Sequence, residues 1–358
     1  MDKNKIIRIK DIAKLSGVSV GTVDRVIHER GKVSEVSKAK VEKVLKEINY
    51  TPNLLAKTLG SNKVFKIALL APHLDEDPYW NLALSALGST QKEWQPYHIE
   101  ILPFYFELHN ADSYHKESER LLACNPDAVI SAPIYLPEAL TFSKKLKVMN
   151  IPFIHFNTLI TEADPLAFIG QDLYQSGRLA ASLLNLVCHD QKGSLATLHI
   201  VQSIQHSIHF QDKENGFNDY CKALASPQKT TSILINAHTQ ELFEASLLKA
   251  INEFEVKGLF IPTSSGAKKT AEVLRNNHLK DIKIVGYDLI QDNIDLLRSG
   301  EIEFLINQSP NKQLYRGVYH LAHHLLFKNP PPKKELFPLE IITRENIDSY
   351  TCAQILNQ

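Results

Sequence analysis

Residues 8–59 read RIKDIAKLSGVSVGTVDRVIHERGKVSEVSKAKVEKVLKEINYTPNLLAKTL. Ile9, Ile12, Ala13 and Leu15 supply one apolar face for a short first helix, and Gly17 stops it. Ser19 then opens a second helix carrying Val20, Val23, Val26 and Ile27. Its hydroxyl is placed to accept from the backbone N–H of Gly21 or Thr22, while Val18 and Val23 are spaced as a hydrophobic staple. Two helices joined by so short a turn form a helix-turn-helix. A third helix follows, capped by Ser34, in which Val41, Val44, Leu45 and Ile48 fall at the i, i+3, i+4, i+7 spacing that buries one stripe against the first two. Beyond it Tyr50-Thr51-Pro52-Asn53 breaks the pattern, and Leu54 to Leu59 offers only a turn or two before Gly60-Ser61-Asn62-Lys63. So short a helix is marginal in water by itself, so the segment is expected to fold only when something holds it; the alternative is a flexible linker.

From Ile9 to Leu59 the chain resembles, without a gap, the N-terminal domain of LacI/GalR-type transcription regulators. The resemblance is carried by the GVS turn, the TV-x-RV second helix, the NY-x-PN link and the A-x-x-L that follows. It implies a head that grips double-stranded DNA, with contacts from Ser19, Val20, Gly21, Thr22, Asp24, Arg25, His28, Lys32, Ser34, Ser37, Tyr50, Asn53, Ala56 and Leu59. Arg25 is the candidate for base readout, because a guanidinium bonds guanine O6 and N7 together; a phosphate or intramolecular partner is the alternative. Val20 and Gly21 occupy the other two base-choosing positions and can offer only a methyl contact or close approach. Asp24 stands where the family has serine near phosphate. There a carboxylate is repelled unless it accepts from a cytosine N4 or pairs with His28 one turn on. Leu59 matches the family's minor-groove wedge, a device that partly unstacks a base step and is offset by wider contact with bent DNA. The remaining positions match phosphate or hinge contacts that set register, though capping or solvated surface accounts for each nearly as well.

Charge agrees. Residues 1–63 hold fourteen Lys and Arg against seven Asp and Glu, a net +7, and the rest of the chain carries −7, so the overall zero conceals a basic head on an acidic body. That is the distribution expected of a polyanion-binding domain joined to a domain for something else.

From Phe65 the pattern becomes alternating strand and helix: KIALLA (66–71), then helix, strand and helix again through Phe156. A second series begins at Ala167 and runs to Tyr287, and a crossing tail holds a strand at 303–307, a helix at 311–327, Pro330-Pro331-Pro332 and a last strand at 339–343. Such βα series make parallel sheets covered by helices. The expected fold is therefore multidomain: an all-α helix-turn-helix domain (1–50), a hinge helix and linker (51–63), and an α/β two-lobed domain (64–358). Lobe 1 is placed at about 64–166 plus a segment near 308–330, and lobe 2 at about 167–304 plus the C-terminal strand. The ordered landmarks IALLAP, PYW, IGQDLYQSGRLAASLL, NGF, IVGYD, INQSP and ITRENI resemble the periplasmic-binding-protein-like (type I) core of the same family. This implies a ligand cleft between the lobes and a homodimer.

Carried over position by position, the resemblance assigns ligand contact to Asp77, Tyr79, Trp80, Asn157, Asp172, Gln211, Asp288 and Gln308. Aromatic faces with carboxylates and amides suit a polyhydroxyl ligand, while Asp172 and Asp288 can equally serve as N-caps. Gln211 stands five residues before Gly216, where the sugar-binding relatives carry an arginine; Asn157-Thr158 and Thr263-Ser264 likewise replace charged pairs. A cleft without cations favours a neutral sugar or sugar-like effector, since an acidic one would leave its charge unpaired. The stacking of Tyr79 and Trp80 keeps a nucleobase as the second choice.

Other classes find little support. No apolar run approaches the ~18 residues of a spanning helix, and MDKNKIIRIKD has no apolar signal core, so a cytoplasmic protein without membrane contact is expected. Cys124, Cys188, Cys221 and Cys352 lie far apart without C-x-x-C, which reads as reduced thiols; His320 and His324 sit four apart without a third metal ligand. The chain lacks G-x-x-x-x-G-K-[ST], G-x-S-x-G and H-E-x-x-H, so neither an enzyme nor a cofactor is expected. A carbohydrate-active enzyme with a DNA-binding appendage and a transporter's solute-binding protein are the alternatives. The expected partners are a pseudo-palindromic operator duplex and a small effector.

Overall fold

The computed structural model describes residues 9–27, 31–48, 63–200 and 208–350. The expectations for His28, Tyr50, Asn53, Ala56, Leu59, the linker through Asn62, and Cys352 lie outside the described residues. The chain divides into two units, residues 1–62 and 63–358.

The first unit contains α1 (Ile9–Ser16), α2 (Val20–Ile27) and α3 (Glu35–Glu47). Ile12, Ala13, Val23, Val41 and Val44 form its core, with Ile9, Val18, Val26, Ile27, Leu45 and Ile48 packed around them. Gly17 makes the turn at φ +65°, a conformation that costs a side-chain-bearing residue steric strain. Leu15 departs from expectation: it is 62 % exposed, because Ile12 and Ser16 hold the inward side of so short a helix.

The second unit is built from β1 (Phe65–Pro72), α4 (Pro78–Leu84), α5 (Leu87–Trp94), β2 (Ile99–Phe106), α6 (Ala111–Ala123), β3 (Ala128–Ser131), α7 (Leu136–Val148), β4 (Phe153–Phe156) and β5 (Ala167–Gly170). It continues through α8 (Leu173–Val187), β6 (Ser194–Ile200), α9 (Ile208–Lys222), β7 (Thr230–Ile235), α10 (Gln240–Glu253), β8 (Val256–Phe260), α11 (Ala267–Asn276), β9 (Lys283–Tyr287), α12 (Gln291–Ser299) and β10 (Phe304–Asn307). The tail holds α13 (Pro310–Phe327), β11 (Lys334–Leu336) and β12 (Glu340–Ile342).

Two six-stranded sheets result, ordered β11-β5-β4-β3-β1-β2 and β12-β10-β9-β8-β6-β7. The first five strands of each series take the same 2-1-3-4-5 order, the doubly wound arrangement whose ligands gather outside the carboxyl ends of the strands. All described pairings are parallel except β10 with β12. Each sheet is covered on both faces: the first by α4, α5 and α13 on one side and α6 and α7 on the other, the second by α10, α11 and α12 and by α8 and α9. Burial on both faces explains why strands such as β1 read as unbroken apolar runs.

The lobe boundary shifts. β5 pairs with β4 and β11 and so belongs to the first sheet instead of opening the second lobe. The chain crosses between lobes after β5, after β10 and before β12. Gln171 ties these crossings together, its Nε2 donating to the carbonyl oxygens of Asn307 at 3.0 Å and Pro338 at 2.9 Å. α12 lies in the stretch between β9 and β10 to which the sequence pattern assigned no element. No helix among the described residues is long and apolar enough to cross a membrane.

Candidate functional site

On the first unit, burial of Val23 turns Gly21 and Arg25 most directly outward, with Val20 and Asp24 on the shoulder nearer α1. Ser19 Oγ accepts from the Thr22 amide at 3.2 Å and lies 2.9 Å from Thr22 Oγ1, so the N-cap takes the second of its two anticipated partners. Ser34 caps α3, accepting from the Ser37 amide at 3.3 Å and donating to Ser37 Oγ at 2.9 Å. Arg25 and Lys32 are exposed, and Asp24 is half-buried. A shallow hollow of about 570 Å³ is lined by Ile9, Lys10, Val20, Gly21 and Asp24.

In the second unit the candidate ligand residues stand just beyond carboxyl ends of strands. Asp77 follows β1 and caps α4, accepting from the Tyr79 amide at 2.8 Å; its other oxygen accepts from Ser265 Oγ of the second lobe at 3.0 Å. Burial raises the Asp77 carboxyl above its ordinary range, opposed by these bonds and by the charge of His109. Asn157 follows β4, donates through Nδ2 to the Tyr79 hydroxyl, and accepts from Thr158 Oγ1 at 3.0 Å. Burial holds the Tyr79 hydroxyl protonated, and the charge of Asp288 across the cleft adds to this.

Asp288 follows β9 and is fully buried. It accepts from Ser264 Oγ, from Gln308 Nε2 at 2.9 Å and from the Gln308 amide at 3.3 Å. Asn293, absent from the sequence-based set, bonds the carbonyl oxygens of Ser264 at 2.9 Å and Tyr287 at 2.7 Å, fixing the two loops that present this group. The result is one polar triad per lobe, Tyr79–Asn157–Thr158 facing Ser264–Asp288–Gln308.

Three anticipated residues stand outside these hydrogen-bonded triads. Trp80 packs edge-on against Tyr79 and Phe156 inside the first core, 4 % exposed, so it backs the cleft wall. Asp172 is exposed and caps α8 by accepting from the Gln175 amide at 2.9 Å. Gln211 is exposed on α9.

A buried cation neighbours the second-lobe triad, at a position outside the sequence-based set. Lys213, two residues past Gln211, is completely buried; its Nζ donates to the Pro262 carbonyl at 2.9 Å and stands 3.5 Å from the centroid of the Tyr287 ring. Burial pulls its ammonium down to about 7, and the neighbouring Asp288 carboxylate opposes that fall. Burial likewise raises Asp288, opposed by Ser264 and Lys213. The signal lay in spacing: Lys213, Gly216, Phe217 and Cys221 share one face of α9 at i, i+3, i+4 and i+8. That face meets α8 so closely that a Cβ on Gly216 would strike the Tyr174 carbonyl oxygen, and one on Gly177 that of Lys213.

The histidines of α13 serve structure. His320 Nε2 bonds Glu335, whose carboxylate also takes Arg316 Nε at 2.6 Å and its terminal nitrogen at 3.0 Å, which joins α13 to β11. Among the described residues no cluster of three metal-ligating side chains occurs.

Two family models match: bacterial regulatory proteins of the lacI family over residues 8–53, and the periplasmic binding protein domain over 67–329. The chain is 29 % identical over 369 residues to a sucrose operon repressor of Streptococcus mutans, covering 96 % of this chain and all of that one. It is 26 % identical over 289 residues to a ribose operon repressor of Halalkalibacterium halodurans, covering 78 % and 80 %. Among solved structures, a chain from Bacteroides fragilis described as a LacI transcriptional regulator superposes with TM-score 0.74 at 25 % identity, covering 80 % of this chain and 100 % of that one. A glucose-galactose binding protein from Geobacillus stearothermophilus shares the fold at TM-score 0.70 and 19 % identity, covering 80 % and 99 %.

Proposed function

Because the chain belongs to the lacI family of regulators with a periplasmic binding protein domain, we propose that it represses a carbohydrate-utilisation operon under the control of a small sugar bound between its lobes. The observation that carries this reading is the pair of facing triads, Tyr79–Asn157–Thr158 and Ser264–Asp288–Gln308. Hydroxyls of a sugar donate to the carboxylate and to amide oxygens, and its ring oxygens accept from amide hydrogens. Lys213 and Asp288 offset one another's charge without an ion-pair contact, so a neutral effector suits the site. The repressor names of the relatives from S. mutans and H. halodurans agree with this choice.

In this reading the protein acts in the cytoplasm as a homodimer on a pseudo-palindromic operator, and the outward side of α2 enters the major groove. A sugar bridging both lobes favours one lobe arrangement over another, and DNA affinity changes by the coupling free energy between the sites, typically ~1–3 kcal/mol. The test is a thermal-shift screen of neutral sugars, sugar phosphates and nucleobases, followed by titration of operator binding with each hit. A neutral sugar that raises the melting temperature and changes operator affinity supports the proposal. A response to a sugar phosphate or a nucleobase, with none to neutral sugars, rejects it.

A further inference from the structure

The geometry points to Asp24 as a base-reading residue that accepts a hydrogen bond from the exocyclic amine of a cytosine in the operator's major groove. This rests on the reading of the first unit as a DNA-binding head. Asp24 lies one turn after Val20 and Gly21, and the three line the same hollow on the α2 shoulder. A carboxylate is a short side chain, so it reaches a base edge only if the helix backbone comes close. Gly21 permits that approach. It has no side chain, and a Cβ built there would meet nothing nearer than Ser19 Oγ at 3.9 Å, so the space outside the helix is open. Val20, 45 % exposed, offers methyl groups but no hydrogen bond. Lys10 of α1 lines the same hollow.

The base follows from the donors and acceptors in the groove. An ionised carboxylate only accepts. Guanine presents N7 and O6 and thymine presents O4, all acceptors that repel it; adenine offers its amine beside the acceptor N7. Cytosine alone presents an amine donor with no acceptor on the same base edge. Asp24 therefore selects cytosine and discriminates against the other three.

The experiment selects half-sites from a randomised duplex library with the full-length protein and with Asp24→Asn and Asp24→Ser. The native protein is expected to fix cytosine at one position, with replacements weakening binding roughly 5- to 150-fold, the equivalent of ~1–3 kcal/mol. Asp24→Asn should move that position toward adenine, because a carboxamide supplies both the donor and the acceptor that adenine requires. Asp24→Ser should lose preference there and nowhere else. If Asp24→Ser selects the native half-site while binding every duplex more tightly, the carboxylate merely repels the backbone and the inference fails. Asn is nearly isosteric with Asp, so a folding defect in the serine variant leaves the cytosine-to-adenine change as the deciding result. A native protein that selects no common half-site would defeat the DNA-binding reading itself, and this inference with it.

Discussion

Asn157 and Asp288 occupy equivalent places in the two lobes: each is the first residue beyond the fourth strand of its series, and each has a left-handed backbone, φ +66° and +61°. Their amides even make the same bond, to the fifth strand, Asn157 to the Ile169 carbonyl and Asp288 to the Ile306 carbonyl, both at 3.0 Å. Asn and Asp tolerate this conformation better than other side-chain-bearing residues. It turns both polar side chains out of the strand and into the cleft.

The two residues differ in charge, and a prediction follows. Asp288→Ala removes the carboxylate that faces the fully buried Lys213 and leaves that ammonium with the Pro262 carbonyl and the Tyr287 ring. The two groups make no ion-pair contact, so the loss should stay below the about 3–5 kcal/mol of breaking a buried pair from one side. Urea denaturation should show that loss for Asp288→Ala, and a smaller one when Lys213→Met accompanies it. Equal losses in the single and double variants would show that the two groups are not coupled.

These positions were partly legible in the sequence. Asn157 and Asp288 each follow a short apolar run, where a strand must end and a turn begin, so local pattern and family resemblance both reach them. Lys213 was not, because a lone lysine on the spacing shared with Gly216, Phe217 and Cys221 reads as solvated surface until the partner helix is known. Its burial follows from the glycine pair Gly177 and Gly216, a long-range contact. The assignment of β5 failed for the same reason: four apolar residues define a strand without saying which sheet it joins, and only pairing with β4 decides. On the head, local cap and staple signals sufficed for Ser19 and Ser34, whereas Leu15 was misplaced because a two-turn helix has too few apolar positions to fix its inward face.

The α8–α9 contact gives a second prediction. Gly177→Ala places a methyl group against the Lys213 carbonyl oxygen, which is backbone and cannot swing aside. Overpacking of this kind typically costs ~1–3 kcal/mol. Because α9 also carries Lys213, the shift should weaken effector binding along with stability. Denaturation midpoint and sugar affinity, measured on the same preparation, should fall together; a loss of neither would mean that the helices separate freely.

His155, in β4, yields a pH dependence. It is 1 % exposed, and burial pulls its imidazole from 6.5 down to about 3. Between those values the unfolded chain binds a proton that the folded chain does not. Stability contributed by the neutral form is therefore full above 6.5 and declines as the pH falls toward 3. The slope inside this window is about 1.4 kcal/mol per pH unit for one proton. Replacing His155 with Phe, which keeps a ring in the strand, should flatten the acid limb of the stability curve by that one-proton slope. Superimposable curves for the two proteins would mean that His155 takes up its proton equally in the folded and the unfolded chain.

Arg25 decides between two ways of holding DNA. It is exposed and, with Gly21, points most directly away from the core of the head. If its guanidinium bonds a guanine edge, Arg25→Ala should cost ~1–3 kcal/mol on the operator and relax selectivity at one base pair, leaving weak, salt-sensitive binding to any duplex. If instead it holds a phosphate, the loss should be nearly uniform across sequences, and the slope of log affinity against log salt should fall by about one. Fluorescence anisotropy on operator and scrambled duplexes over a salt series separates these outcomes. The base-reading assignment requires that operator affinity fall much further than scrambled-duplex affinity with the salt slope unchanged, since a contact to a base edge neutralises no phosphate and releases no counterion.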